Sequence, residues 1–318
     1  MVPNETQQYM GIIQLLLLFG WTWVGLFAAE DDGGQHFLKT FEPLLSRNGI
    51  CSAFTETIAN QAKWDTLEDI FSLFSNIHRH FEDRQVNTYI LYGGSITMLS
   101  LNTVLFFGFA TSAGNISLSK VWVFTAQADF ILSGAQRNFE FDAFHGSISF
   151  TIRSNELQQF KEYLYSIKPD QTKQNGFLKE FWGQAFDCSF PNLHEPLKAG
   201  EMCTGEERLE SLPGLLFEMR MTGHSYSVFN AVYAVAYALN TMITSKPMAG
   251  KAVRLQDLQP WQLHPFLQGI TFNNSAGETV SFNDDKEIGA GFDIINMVTF
   301  PNRSFLRVKI GKVDSSAP

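Results

Sequence analysis

The sequence predicts an α/β fold built on a parallel sheet covered on both faces. Three observations carry this. From Pro3 to Gln127 helix-type and strand-type segments alternate. The strand-type segments are near-continuous apolar runs, as expected of strands buried on both faces. Apolar residues make up 45% of the chain and charged residues only 17%, enough to build a core on each side of a sheet. At about 100–200 residues per domain, 318 residues make two domains or one domain with an insertion.

Each element has its own signal. Pro3 to Phe19 reads as a helix with Pro and an acid near its start. Trp21–Ala28 is a buried strand, Gln35–Asn48 a helix stopped by Gly49, and Ile50–Thr57 a strand. Trp64–Phe81 is amphipathic, with Leu67, Ile70, Phe71, Phe74 and Ile77 on one face. Strand Thr88–Tyr92, the turn Gly93-Gly94-Ser95, helix Ile96–Phe109 and strand Val121–Thr125 follow. Ligands on such sheets bind at the carboxyl ends of strands, here Glu30–Gly34, Gly93–Ser95 and Thr125–Asp129.

After Asp142 the texture changes. Ser147–Thr151 is a short strand, and Asn155–Ile167, Asn175–Phe186, Thr222–Ser245 and Arg254–Leu267 are helical. Gly269–Asn283, Gly291–Phe300 and Phe305–Lys312 have strand patterns.

Gly11–Ala29 is uncharged over 19 residues, just long enough for a membrane span. Its N-terminal flank has no Lys or Arg, and Gly20 splits it into a helical and a strand-type half. A helix, a glycine stop and a buried strand account for it.

Composition excludes several function classes. With 23 basic and 32 acidic residues the formal charge is −9, so the cationic surface that dominates nucleic-acid binding is lacking. No nucleic-acid partner is expected. There is no G-x-S-x-G, no phosphate-binding G-x-x-x-x-G-K-S/T and no H-E-x-x-H, and no nucleophile–base pair stands out. Gly289-Ala290-Gly291 precedes a strand and reads as a turn. His78-Arg79-His80 reads as a solvated helix end, since i and i+2 do not share a helical face. No metal site or cofactor is expected. Glu30-Asp31-Asp32 reads as a polar loop or the partner of a ligand's amine, and His224 as a helix cap or core residue.

Cys188 and Cys203 flank a Pro-containing loop of a size that a disulfide closes well. Cys51 is left over, either a buried thiol or half of a bridge to sequence outside this chain. Sequons at Asn4, Asn115, Asn273 and Asn302 add to an extracellular, oxidising address.

Motif order then becomes informative. Phe19-Gly20-Trp21-Thr22-Trp23-Val24-Gly25-Leu26-Phe27, Asn48-Gly49-Ile50-Cys51, Met202-Cys203-Thr204-Gly205-Glu206 and Phe229-Asn230-Ala231-Val232-Tyr233-Ala234 run in the order seen in family C G-protein-coupled receptors. Met221-Thr222-Gly223-His224-Ser225-Tyr226 and Val298-Thr299-Phe300-Pro301-Asn302 resemble vomeronasal type-2 (pheromone) receptors. The resemblance covers essentially the whole chain. It implies a periplasmic-binding-protein-like (Venus flytrap) two-lobe clamshell, with one lobe incomplete. Residues 1–143 would be the membrane-proximal lobe, 144–283 the second half of the distal lobe and 284–318 the return to the first. It implies an extracellular, non-catalytic ligand-binding region at the plasma membrane, which closes on ligand and acts with a receptor dimer partner. A G protein would be reached through a membrane domain outside this chain.

The resemblance also assigns site residues. Glu5 takes the position of an ammonium partner; Gly33 stands where an aromatic covers the ligand; Gln127 replaces an acid, with Asp129 two residues on; and His224 takes a basic position. Gly93 and Ser95 lie in the loop at the end of the third strand. The departures at Gly33, Gln127 and His224 point to a peptide or amino-acid-like ligand and a wider pocket than a glutamate site. Cys188–Cys203 would be an intra-lobe disulfide and Cys51 the tether to a cysteine-rich domain. A free-standing soluble binding protein on the same fold is the alternative.

Overall fold

The computed structural model describes residues 3–59, 66–83, 85–111, 120–128, 142–168, 175–190, 202–212, 217–245, 259–282, 291–300 and 305–314. Its centre is a seven-stranded sheet. The strands are β1 (Trp23–Ala29), β2 (Cys51–Ile58), β3 (Thr88–Tyr92), β4 (Val121–Phe124), β5 (Ile148–Ile152), β8 (Phe292–Thr299) and β9 (Phe305–Val313), in the order β2-β1-β3-β4-β5-β8-β9. The first five run parallel; β8 and β9 are antiparallel to their neighbours.

Helices cover both faces as the apolar strands require. On one side α1 (Glu5–Leu18) and α2 (Asp32–Arg47) bury Ile12, Leu16, Phe37 and Phe41 against Val24, Leu26, Ile90 and Val123. On the other, α3 (Leu67–Glu82) and α4 (Ser95–Thr111) bury Phe74, Ile77, Leu101 and Leu105 against Phe27, Tyr89, Leu91, Trp122 and Phe124. Alternate residues of β3 thus enter opposite cores, as strand geometry dictates. Among the described residues no helix is long and apolar enough to cross a membrane. The uncharged run 11–29 is divided where Gly20 takes φ 68°, with Trp21 N–H on the Leu16 carbonyl at 2.8 Å and Gly20 N–H on Leu17 at 3.2 Å. This Schellman stop closes the helix and turns the chain directly into β1.

The sheet continues past residue 143, the end that the sequence reading gives the first lobe, because β5 pairs in parallel with β4 through Val123 and Ile148. β5 then pairs antiparallel with β8, so everything between Ile152 and Phe292 is inserted between adjacent strands of one sheet. The inserted part contains α5 (Gln158–Ser166), α6 (Gly176–Phe186), α7 (Gly223–Ser245), α8 (His264–Gln268) and a hairpin of β6 (Thr271–Asn273) and β7 (Thr279–Ser281). Cys188 and Cys203 are joined by a disulfide with Cα atoms 4.9 Å apart.

Two sequence expectations need correction. The helix expected over Arg254–Leu267 is a 3₁₀ turn (Pro260–Leu263) leading into the short α8; residues 251–258 lie outside the described set. Pro260 starts the 3₁₀ turn and Pro265 lies in the first turn of α8, and neither has an N–H to continue a helix from before. His80 is not solvated: its ring stacks on Phe54 at 3.7 Å and its Nε2 lies 2.8 Å from Glu56 Oε1.

Candidate ligand site

The carboxyl ends of β1, β3 and β4 converge on the first turn of α1. Asn4 caps this helix, its side chain accepting the Thr6 N–H at 2.8 Å, and so fixes where Glu5 begins the helix. Tyr9, one turn on, donates its hydroxyl to Glu5 Oε2 at 2.7 Å. Tyr92, the last residue of β3, donates to Glu5 Oε1 at 3.4 Å. Gln127, in the turn after β4, donates from Nε2 to the same oxygen at 2.5 Å. Glu5 therefore holds its carboxylate among neutral donors, and among the described residues no Lys, Arg or His pairs with it.

Packing aims the two phenols. Phe37 of α2 stacks on Tyr92 at 4.6 Å between ring centroids and meets Tyr9 edge-on at 5.5 Å. Burial, reinforced by the Glu5 charge, pushes the Tyr92 hydroxyl up to about 12. Burial and the hydrogen bond to Glu5 push Tyr9 up as well. Both phenols stay protonated and remain donors. Gln127 Oε1 is buried with no hydrogen-bond partner among the described residues, an acceptor left over beside the carboxylate.

Of the other expected residues, Gly33 and Gly93 lie beside Tyr92 of this cluster. Gly33 sits beside the Tyr92 hydroxyl, about which a Cβ on Gly33 would lie at 3.6 Å. Gly93 is buried against Thr97, where a Cβ would come within 2.6 Å of that side chain. Ser95 is half-buried at the start of α4. A Cβ on Gly94 would lie 3.9 Å from the Gln127 carbonyl, so the β3 and β4 loops adjoin. Asp129 falls outside the described residues.

His224 is neither cap nor core. It is exposed in the first turn of α7, with Nε2 3.1 Å from the Ala126 carbonyl. A carbonyl only accepts, so Nε2 carries the proton. His224 thus reaches the turn that bears Gln127 through backbone, and does not join the carboxylate cluster. Asp31, in the acidic loop after β1, caps α2 by accepting the Gly34 N–H at 2.7 Å, which accounts for that carboxylate without a ligand. Among the described residues no group of three or more His, Cys, Asp or Glu is placed to hold a metal.

Tyr9 and Tyr92 are absent from the sequence-derived site. Tyr9 lies four residues after Glu5, a spacing that puts the two on one helix face and could have marked it.

A family model described as "Receptor family ligand binding region" matches residues 1–299. The chain belongs to this family. Relatives of this receptor ligand-binding region include the mouse (Mus musculus) vomeronasal type-2 receptor 26, 29% identical over 307 residues. That match covers 96% of this chain and 34% of the receptor. The bovine (Bos taurus) extracellular calcium-sensing receptor is 25% identical over 323 residues, 93% of this chain and 28% of that protein. A G-protein coupled receptor, family C group 6 member A, from Carassius auratus is 25% identical over 296 residues, 92% of this chain and 30% of that protein. The chain spans about a third of the length of these curated relatives. The receptor family to which the expected motif order points is the one matched, and its ligand-binding role favours the receptor reading over a free-standing binding protein.

The sequons divide. Asn273 is exposed on β6, its Oδ1 accepting from Thr279 Oγ1 at 2.8 Å, whereas half-buried Asn4 is occupied as the α1 cap. Asn115 and Asn302 lie outside the described residues. Cys51 is exposed at the start of edge strand β2, which removes the buried-thiol reading.

Proposed function

We propose that this chain is the extracellular ligand-sensing part of a family C G-protein-coupled receptor of the vomeronasal type, binding a peptide or amino-acid-like ligand without catalysis. The observation that carries the ligand class is the Glu5 carboxylate, bonded by Tyr9, Tyr92 and Gln127 and by no cation among the described residues. A ligand ammonium supplies the missing positive charge, and the Gln127 Oε1 acceptor offers it a second contact. Binding would favour the closed arrangement of the part built on the seven-stranded sheet, as the membrane-proximal lobe, against the part inserted between Ile152 and Phe292, as the distal lobe.

The receptor reading gives two surface features a purpose. On α7, Val228, Val232 and Val235 lie at i, i+4 and i+7 with exposures of 65%, 63% and 41%, an apolar stripe for the rest of the distal lobe to cover. Exposed Cys51 would pair with a cysteine-rich segment and tie lobe movement to the membrane domain, which engages the G protein within a receptor dimer. Asn273 would carry glycan.

The test is the full-length receptor in cells responding to peptide and amino-acid libraries. The Glu5→Gln variant should reach the surface and lose its response, and a response equal to the parent's would overturn the ammonium assignment. Peptide mapping of the same receptor should find Cys51 in a mixed disulfide; a reduced Cys51 removes the tether.

A further inference from the structure

The segment Glu218–His224, which leads into α7, is fastened at both ends to the seven-stranded sheet, on opposite sides of β5. At one end His224 Nε2 donates to the Ala126 carbonyl, 3.1 Å away in the turn after β4. At the other, Glu218 Oε1 accepts from Arg307 Nη1 of β9 at 2.7 Å. The side chains of that ion pair are only 14% and 18% exposed, so little solvent screens it. Between the two ties, Gly223 lies flat on the end of β5, where a Cβ would come within 2.3 Å of the Ile152 carbonyl oxygen. A cavity of about 250 Å³ lies against the segment, with Arg220, Thr222, Asp293 and Lys309 in its wall.

We infer that residues 218–224 form a strap that couples the ligand site to β9, with His224 and Glu218 as positioning residues at its two ends. The inference rests on the proposed site in one respect only: it gives His224 the task of holding the turn in which Gln127 reaches Glu5. Gly223 leaves the strap no room to ride over β5. A movement of α7 relative to the β4 turn is therefore shared with Glu218 and passed to Arg307. β9 is a fitting recipient because it is an edge strand held to the sheet on one side alone, by β8. Its far end is clamped: Arg153, just beyond β5, bonds Asp314 at 2.6 Å and lies 3.5 Å from Asp293 of β8, which also holds Lys309 at 2.8 Å. The strap therefore acts on the 305–308 part of β9, through Arg307, while Lys309 and the residues beyond it stay anchored. A physical element with two tied ends is what distinguishes this coupling from mere proximity.

Amide hydrogen exchange on this chain tests the strap without any ligand. In His224→Ala, exchange should rise severalfold at residues 125–128 and 217–223, and also at 305–308, with β1 and β3 unchanged. In Glu218→Gln it should rise at 305–308 and also at 125–128. His224→Gln, which keeps an N–H donor, should restore much of the protection. Effects confined to the mutated end in both variants would overturn the proposal. If His224→Ala fails to fold, Glu218→Gln read at 125–128 decides alone. Because no ligand is used, a failed strap leaves the Glu5 site standing, and a failed Glu5→Gln test leaves the strap standing.

Discussion

Gln127 and Glu5 stand 122 residues apart in the chain, yet a 2.5 Å N–H···O bond joins them across the ends of three strands. The bond is asymmetric, since the carboxylate can only accept and the amide nitrogen must donate. Substituting Gln127→Glu sets two carboxylates against each other, and one of them then holds its proton well above the normal carboxylate range. A raised folded-state value means that the penalty is absent below the unfolded carboxylate value and grows as pH rises through the folded one. We expect the variant to lose about 1–3 kcal/mol at pH 7 relative to the parent. Denaturation midpoints measured from pH 4 to pH 8 should show the deficit widening with pH; a constant gap would mean that the residues do not meet.

Alkali should act through the phenols. Burial and the Glu5 charge raise Tyr92 from 10.0 to about 12, and Tyr9 and Tyr89 are raised as well, mainly by burial. Unfolded tyrosines ionise first, so the stability contributed by the neutral phenols is complete below pH 10 and is lost between there and about 12 for Tyr92. Tyr92→Phe should change stability at pH 7 by less than about 1 kcal/mol, because its bond to Glu5 is long at 3.4 Å. It should resist alkali better than the parent, as judged by circular dichroism alongside phenolate absorbance.

Gly34 admits no side chain. A Cβ there would stand 2.0 Å from the Ala29 carbonyl oxygen, which is backbone and cannot swing aside. Gly34→Ala should cost at least about 2 kcal/mol in urea unfolding, at the upper part of the usual overpacking range. Since α2 carries Phe37 beneath Tyr92, Gly34→Ala should also shift the Tyr92 titration, whereas a mutation remote from α2 should not.

The Cys188–Cys203 bridge closes a 15-residue separation, for which restricting the unfolded chain contributes about 3 kcal/mol. Replacing both residues with Ser should lower stability by that order. The loss should match the effect of reductant on a parent whose Cys51 has first been alkylated. Fast alkylation of Cys51 in the folded state is expected from its exposure.

What the sequence made legible follows from where information is local. Gly20 and Gly49 ended their helices as expected, because a left-handed residue after the last turn needs no distant partner: their φ values are 68° and 72°. The strands β1, β3 and β4 were evident from apolar runs that two-sided burial imposes. Glu5, Gly33 and Gln127 came from family resemblance, and the sheet does gather them. Tyr92 did not stand out, because within a buried strand an aromatic residue looks like core; its hydroxyl acquires a role only when α1 is laid over the strand end. The resemblance gives His224 a basic position at the ligand, whereas its bond to the Ala126 carbonyl, 98 residues away, is one that only the folded chain reveals. Arg153, Asp293 and Asp314 had no sequence signal, since the clamp exists only where β5, β8 and β9 meet. The break at Pro260 was readable and was outweighed by the helix-like pattern around it.

Ile152 and Phe292 face each other as the closing rung of β5 and β8. Topologically, the whole inserted part is the tip of one enormous hairpin. A two-residue Asn-Gly link of the kind that natural hairpins favour could replace it and leave the seven-stranded order uninterrupted. The seven-stranded unit would then be a portable module, separable from the inserted part by a single excision and obtainable as one continuous polypeptide.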